Sequence, residues 1–327
     1  MEFNMQPFKI REIDEKNRII RFDPARHGKI TGSRFYAVLG KDPYTTEFEV
    51  ACSISRVYSE YEKTKYTEAG DAIEPIIRQY VHDHGHELLD SRMNLSPDDK
   101  ISVERPVPAK ECGYDHFKFD PVFGGMVDGY VRVNGKRRAI LEIKTASSRE
   151  KWTDAKGEIT CAPENYVLQA SLYAELSDLD EIVFAVGFLN DEDYEHPEEW
   201  KVADDNFYVV HMLKKDISEE MDTGRRWFQK YIVGGITPEW SDRDSRIIDR
   251  LMIRKVDFVP GDLTELIREY AAGRSDLEPV IKERLIGLIT GSMRGLEYEQ
   301  NGMTFRVVPA GSWNEFDRKY EMTVVRD

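Results

Sequence analysis

Three residues stand out as able to do chemistry together. Asp128 lies in Gly124-Gly125-Met126-Val127-Asp128-Gly129-Tyr130, and Glu142 and Lys144 lie in Ile140-Leu141-Glu142-Ile143-Lys144-Thr145. Both stretches read as β-strands, joined through an Asn134-Gly135 turn. A carboxylate and an ammonium within an apolar strand are costly unless something binds them. An Asp on one strand and Glu-x-Lys on its neighbour would hold a divalent cation beside a positive side chain. Oxygen donors of this kind suit Mg2+, with Mn2+ able to substitute. The expected ligands are Asp128, Glu142 and the Ile143 carbonyl. Lys144 cannot ligate while protonated. Its expected role is to orient or deprotonate a water, or to neutralise phosphoryl charge. The set suits metal-assisted hydrolysis of a phosphodiester.

The strands must position these groups, and that makes a strict demand. Side chains alternate along a strand, so Ile140, Glu142 and Lys144 share a face. A regular two-residue loop at Asn134-Gly135 pairs Val133 with Lys136 and sets Asp128 against Leu141, leaving Glu142 on the wrong face. A three-residue loop with Gly135 in a bulge pairs Asp128 with Ile140, diagonal to Glu142. A joint site therefore requires an odd-length turn or a bulge between Asp128 and Glu142. The opposing reading is a surface hairpin with solvated charges.

Neighbouring elements offer further candidates. Glu74 lies in a helical stretch, residues 66–84, closed by Gly85 as a C-cap. It reads either as a third carboxylate for a metal or as the partner of Asp71 in a capping box. Residues 45–65 read as an earlier helix, carrying Phe48, Cys52, Val57, Tyr58 and Tyr61. From Ile101 to Thr145 the pattern turns to β, His116-Phe117-Lys118-Phe119 included. A helix begins near Pro163 and puts Gln169 and Tyr173 on one face, with Tyr166 a turn before, as a stripe able to touch a DNA strand. Arg132, Lys136, Arg137 and Arg138 cluster at the hairpin tip, as a solvated end or a phosphate contact. His82, His84 and His86 have a spacing that suits a zinc-binding strand face, but their segment reads as a helix end, which scatters them.

The totals narrow the classes. The chain of 327 residues suits one large domain or two smaller ones. A boundary is expected near 240, giving a catalytic domain over 1–240 and a C-terminal α/β extension over 241–327 with a hairpin turning at Asn301-Gly302. Net charge is −15, which weighs against a nucleic-acid binder without excluding local basic contacts. Cys52, Cys112 and Cys161 are too few and too scattered for a disulfide framework or a four-cysteine cluster, so a reducing cytoplasm is expected. No apolar run suits a membrane span, and the N-terminal stretch lacks the apolar segment of a signal peptide.

These residues, taken in chain order, resemble the YqaJ-like viral recombinases of the PD-(D/E)xK nuclease superfamily, which include the lambda-type exonuclease. Arg26-His27-Gly28-Lys29-Ile30-Thr31-Gly32-Ser33 is similar to the family's R-x-G-x-I-T-x-S opening, and Gly70-x-x-x-Glu74 to its helical G-x-x-x-E. Asp128-Gly129 and Glu142-x-Lys144 match the core, and Tyr166-x-x-Gln169 the Y-x-x-Q helix, over about residues 18–240. The resemblance implies an α/β (α+β) fold with a restriction-endonuclease-like core, a mixed central β-sheet flanked by helices. It implies Asp128 and Glu142 as metal ligands with Glu74 nearby, and Lys144 as the catalytic lysine. Arg26, with Ser33, would grip the 5′-phosphate of a DNA end, and Gln169 would position the metal site or substrate. It implies Mg2+-dependent, 5′-to-3′ digestion of linear duplex DNA in phage-type recombination, in a bacterial or phage-infected cell. The partners implied are a single-strand annealing protein and further copies of the chain, as in a ring trimer. Met126 departs from the lambda-type Ser at that position, and the tail after about 241 is longer than in the shortest members. The iron–sulfur branch, which needs four cysteines, is excluded. Two rivals remain: an endonuclease of the same fold, and a non-catalytic DNA-binding or assembly protein.

Overall fold

The computed structural model describes residues 2–5, 9–61, 63–290, 293–310 and 319–326. The chain divides into two units, residues 1–4 with 24–236 and residues 5–23 with 237–327.

In the first unit, helix α1 (Gly32–Val38) and helix α2 (Glu47–Ser55) precede a long helix, α3 (Lys65–Met93). Strands β1 (Ile101–Glu104), β2 (Gly129–Val133) and β3 (Lys136–Ala146) follow. Helix α4 (Glu164–Leu176), strands β4 (Glu181–Phe188) and β5 (Phe207–Leu213), and helix α5 (Ser218–Phe228) come after them. The sheet order is β5-β4-β3-β2-β1. Only β3 and β4 run parallel, the other pairs being antiparallel, so the sheet is mixed.

Helices cover both faces. The buried residues of α3 recur every fourth position, Ala69, Ile73, Ile77, Val81, Gly85, Leu89 and Met93. That stripe packs on Val131, Ala139, Leu141 and Ile143 of the sheet. On the opposite face Tyr130, Ile140 and Phe184 meet Ala170, Tyr173 and Ala174 of α4. The outer side of α4, Leu168 and Leu172, packs with Phe35, Val50 and Trp227 of α1, α2 and α5. A mixed sheet flanked by helices on both faces is the layering expected.

Several local expectations are corrected. Helix α2 ends at Ser55, with Arg56 left-handed after it, and Tyr58–Tyr61 is a strand, so Val57, Tyr58 and Tyr61 are not helical. Helix α3 is capped by a reciprocal Thr64–Thr67 box and runs to Met93. Asp71 and Glu74 therefore lie inside it, which removes the capping-box reading. Gly85 is no C-cap but a buried position where an added Cβ would come 2.6 Å from Ile101. His116–Phe119 is a loop rather than a strand.

In the second unit, strands Ile10–Asp14 and Ile19–Phe22 pair antiparallel. A four-stranded sheet joins Ile253–Lys255, Gly295–Gln300, Met303–Pro309 and Tyr320–Arg326 in that order. Gln300 pairs with Met303 across Asn301-Gly302, as expected. Helices Gly261–Ala271 and Glu278–Ile286 supply Leu263, Ile267, Ile281 and Leu285 to its core.

Candidate active site

The hairpin register comes first. Asn134 and Gly135 have φ of 50° and 82°, a two-residue turn with both residues left-handed. It pairs Val133 with Lys136 and Arg132 with Arg137. Alone, that turn would turn Glu142 away from Asp128. The register then shifts, and Val131 pairs with Ala139, which leaves Arg138 as the extra residue of a bulge. Tyr130 consequently meets Ile140, and Gly129 meets Leu141. Asp128, one step before β2, comes level with Glu142. Of the two remedies the bulge is used, and the three-residue loop that set Asp128 against Ile140 is not.

Alternation along β3 does the rest. Leu141 and Ile143 enter the α3 core and Ile140 the α4 core, so Glu142 and Lys144 emerge toward α4. The Asp128 carboxylate accepts a 2.7 Å hydrogen bond from the Ile143 N–H. The N–H and C=O of a strand residue point to the same edge, so the Ile143 carbonyl also lies on the Asp128 side. Glu142 is 1% exposed. Its Oε1 accepts from Lys144 Nζ at 2.6 Å and from Gln169 Nε2 of α4. Its Oε2 is buried and has no hydrogen-bond partner among the described residues. A buried carboxylate oxygen without a donor is a costly arrangement, and a cation is its natural complement.

The electrostatics follow from burial. Loss of water pushes the Glu142 carboxyl up to about 7, against the pull of Lys144. Burial also raises Asp128, with Lys144 and the Ile143 N–H opposing it. Burial pulls Lys144 down, but the Glu142 and Asp128 carboxylates outweigh it, so it is held above its ordinary value as an ammonium. The Tyr166 ring lies 4.9 Å from its Nζ. Two neighbouring buried carboxylates, each raising the other's cost of charge, with one oxygen left without a donor, fit a hard divalent cation.

Glu74 stands slightly apart. Its carboxylate pairs with Arg78, and Arg78 Nε donates to the Asp128 carbonyl at 2.8 Å. Among the described residues no group of three or more His, Cys, Asp and Glu side chains is arranged to hold a metal. Glu74 is thus joined to Asp128 through Arg78 rather than clustered with it. Tyr173 is 3% exposed, its ring stacked on Phe117 at 5.5 Å, and its hydroxyl accepts from the Gly32 N–H at 3.2 Å. It forms a wall and does not face solvent as a strand contact would. An added Cβ on Gly32 would lie 2.7 Å from Tyr173, and one on Gly125 would lie 2.5 Å from it. Arg26 and Ser33 are exposed. Arg26 is left-handed, with φ of 59°.

The basic cluster at the hairpin tip is largely spent inside the protein. Arg132 and Arg137 pair with Glu104, and Arg138 pairs with Glu181 at 2.9 Å. The histidines scatter along α3 as the helical reading requires. His82 Nδ1 accepts from the Val103 N–H, His86 contacts the Ser96 carbonyl, and His84 lies against Tyr80.

Residues 21–180 match the model of the YqaJ-like viral recombinase domain. A relative is the uncharacterized protein MG373 of Mycoplasma genitalium, 27% identical over 254 residues, covering 66% of this chain and 85% of that protein. The alkaline exonuclease LHK-Exo of Laribacter hongkongensis superposes with a TM-score of 0.41 at 17% identity, covering 64% of this chain and 91% of its own. A phage-related exonuclease of Haemophilus somnus 129PT gives 0.40 at 15%, with 63% and 94% covered.

All the candidate residues fall within the YqaJ-like span. It also holds residues that pattern reading missed. Arg78 ties Glu74 to the Asp128 backbone, and its spacing of four from Glu74 is the signal that would find it. Asp115 binds Lys29 at 2.7 Å and accepts from the N–H groups of Phe117 and Gly125. An Asp bonding the N–H two residues on is a common turn device, legible in Asp115-His116-Phe117.

Proposed function

We propose that the YqaJ-like domain is a metal-dependent deoxyribonuclease that digests linear duplex DNA from its ends, 5′ to 3′, in phage-type recombination. The observation that carries this reading is the orphaned Glu142 oxygen beside Asp128, with the Lys144 ammonium on the same carboxylate. Asp128, Glu142 and the Ile143 carbonyl would hold Mg2+, or Mn2+ in its place. Bound there, the ion would activate water and polarise a phosphoryl oxygen.

This chain's own groups do the remainder. Lys144, an ammonium held against Glu142, would neutralise the developing phosphoryl charge or orient the attacking water. Gln169 fixes the Glu142 carboxylate from α4. Arg78 fixes the Asp128 backbone, with Glu74 orienting Arg78. The exposed Arg26 guanidinium, with Ser33, is assigned the terminal 5′-phosphate. Duplex ends are the partner, and an annealing protein and further copies of the chain, in the cytoplasm, belong to the same reading.

The test compares linear with covalently closed circular duplex in Mg2+. Digestion of the linear form alone, lost on chelation, is expected. Equal cutting of both would replace the exonuclease with an endonuclease. Absence of any digestion that Lys144→Ala abolishes would leave the non-catalytic alternative.

A further inference from the structure

The loop over residues 113–121 supports a second role for this face. Its sequence alternates like a strand, yet its frame is a set of tight local bonds. His116 N–H donates to the Gly125 carbonyl at 2.8 Å, and Val127 N–H donates to His116 Nδ1 at 3.2 Å. The Asp115 carboxylate holds Lys29, Phe117 N–H and Gly125 N–H. At the far end Asp120 accepts from Val122 N–H, Phe123 N–H and Arg225. The loop is thus fixed on both sides of Phe119, and it is fixed to the segment that carries Asp128.

The two phenylalanines take opposite places. Phe117 is 3% exposed and stacks on Tyr173, the wall beside Gly32 and Gly125. Phe119 is 72% exposed and stands edge-on to Phe117, with centroids 6.3 Å apart. Tyr173, Phe117 and Phe119 form a continuous aromatic series from the buried wall to solvent. Exposed Lys118 sits between the two phenylalanines in sequence, and exposed Tyr114 begins the loop. A large apolar ring held in water forgoes the stabilisation that burial would bring. A frame this well bonded holds it there, and a pre-ordered ring loses little freedom on binding.

We propose that this loop is a nucleobase-stacking platform, with Phe119 stacking on an unpaired base of the DNA strand engaged at the site and Lys118 meeting its phosphate. The inference rests on the nuclease reading. An aromatic face next to a cation is the usual means of holding single-stranded nucleic acid, because every base offers a π-face.

The experiment uses the full chain with Ca2+ in place of Mg2+. The probes are a duplex with a short unpaired tail containing 2-aminopurine and the same duplex with an abasic tail. Wild type quenches the fluorophore. Phe119→Ala weakens binding of the base-bearing tail about 5- to 100-fold and leaves the abasic tail unchanged. Phe119→Trp restores binding, and neither change moves the melting temperature, since the ring is exposed. Equal affinity of wild type and Phe119→Ala for both tails would overturn the platform. If wild type still digests linear DNA in Mg2+, the platform alone has failed and the loop serves another contact, such as a protein. If wild type neither binds nor digests DNA, the nuclease reading fails and the platform with it.

Discussion

Raising the pH of the metal-free protein should cost stability through Glu142, and Mn2+ should return it. The folded state holds this carboxyl near 7, against an ordinary value of 4.5. A folded value above the unfolded one means that the fold binds the proton more tightly. The contribution is therefore complete below about 4.5, is lost as the pH rises, and levels off above about 7. A difference of about 2.5 units at 1.36 kcal/mol each gives about 3 kcal/mol. Other groups titrate as well, so the measured quantity is the stability of wild type relative to Glu142→Gln. Chemical denaturation between pH 4.5 and 8 in chelator should show this difference moving against wild type by about 3 kcal/mol. Adding Mn2+ at pH 8 should stabilise wild type and leave Glu142→Gln nearly unchanged. A difference that stays flat across the range would refute the claim that burial sets this carboxyl. Equal stabilisation of both proteins by Mn2+ would refute Glu142 as a ligand.

Lys144→Ala should retain the fold and slow Mg2+-dependent digestion by about 100- to 1,000-fold, read as acid-soluble nucleotide release. Asp128→Asn should abolish both digestion and Mn2+-dependent stabilisation, measured on the same preparation by calorimetry. Arg26→Ala should reduce the preference for 5′-phosphorylated over 5′-hydroxyl ends by about 10- to 100-fold, with cutting of hydroxyl ends unchanged. Arg225→Ala tests the far end of the aromatic loop. Burial pushes the Asp120 carboxyl up, but hydrogen bonds from Phe123 N–H and Arg225 outweigh it and hold it below 3.8. A lowered carboxyl gives stability that is present above 3.8 and lost as the pH falls, so the Arg225→Ala deficit should be largest near neutrality and shrink in acid.

Much of the architecture is legible because it depends on near neighbours. Apolar runs mark β3, β4 and β5, Pro163 marks the start of α4, and Asn301-Gly302 marks a hairpin. The demand for an odd register follows from alternation alone. Which device meets it does not, because the bulge sits at Arg138, whose bonds reach Glu181 on β4 and the Met93 carbonyl at the end of α3. Nothing local in Lys136-Arg137-Arg138 announces those partners. Distance in sequence likewise hides the pairing of Arg132 and Arg137 with Glu104. Helix α3 runs through Gly85 because Ile101 needs the space there, a reason that lies sixteen residues downstream. His116–Phe119 alternates like a strand, but the hydrogen bonds of Asp115 and His116 claim the backbone first.

The contact of Tyr173 with Gly32 and Gly125 has a bearing on how this chain can vary. One phenol lies in the space that a Cβ would need at either glycine, and at Gly32 the Gln169 side chain lies as close, at 2.7 Å. The three positions sit in separate motifs, yet none is free to drift alone. Alanine at Gly32 requires Tyr173 and the Gln169 side chain both to give way, and at Gly125 it meets the phenol and a φ of +131° that disfavours any side chain, whereas a smaller residue at 173 leaves a void that neither glycine can fill. The order of substitutions therefore matters: Tyr173 and Gln169 must both change, at a cost, before Gly32 can, and Gly125 stays held by its backbone. Across homologues a chain with alanine at position 32 should lack both tyrosine at 173 and the long side chain at 169, while position 125 should stay glycine.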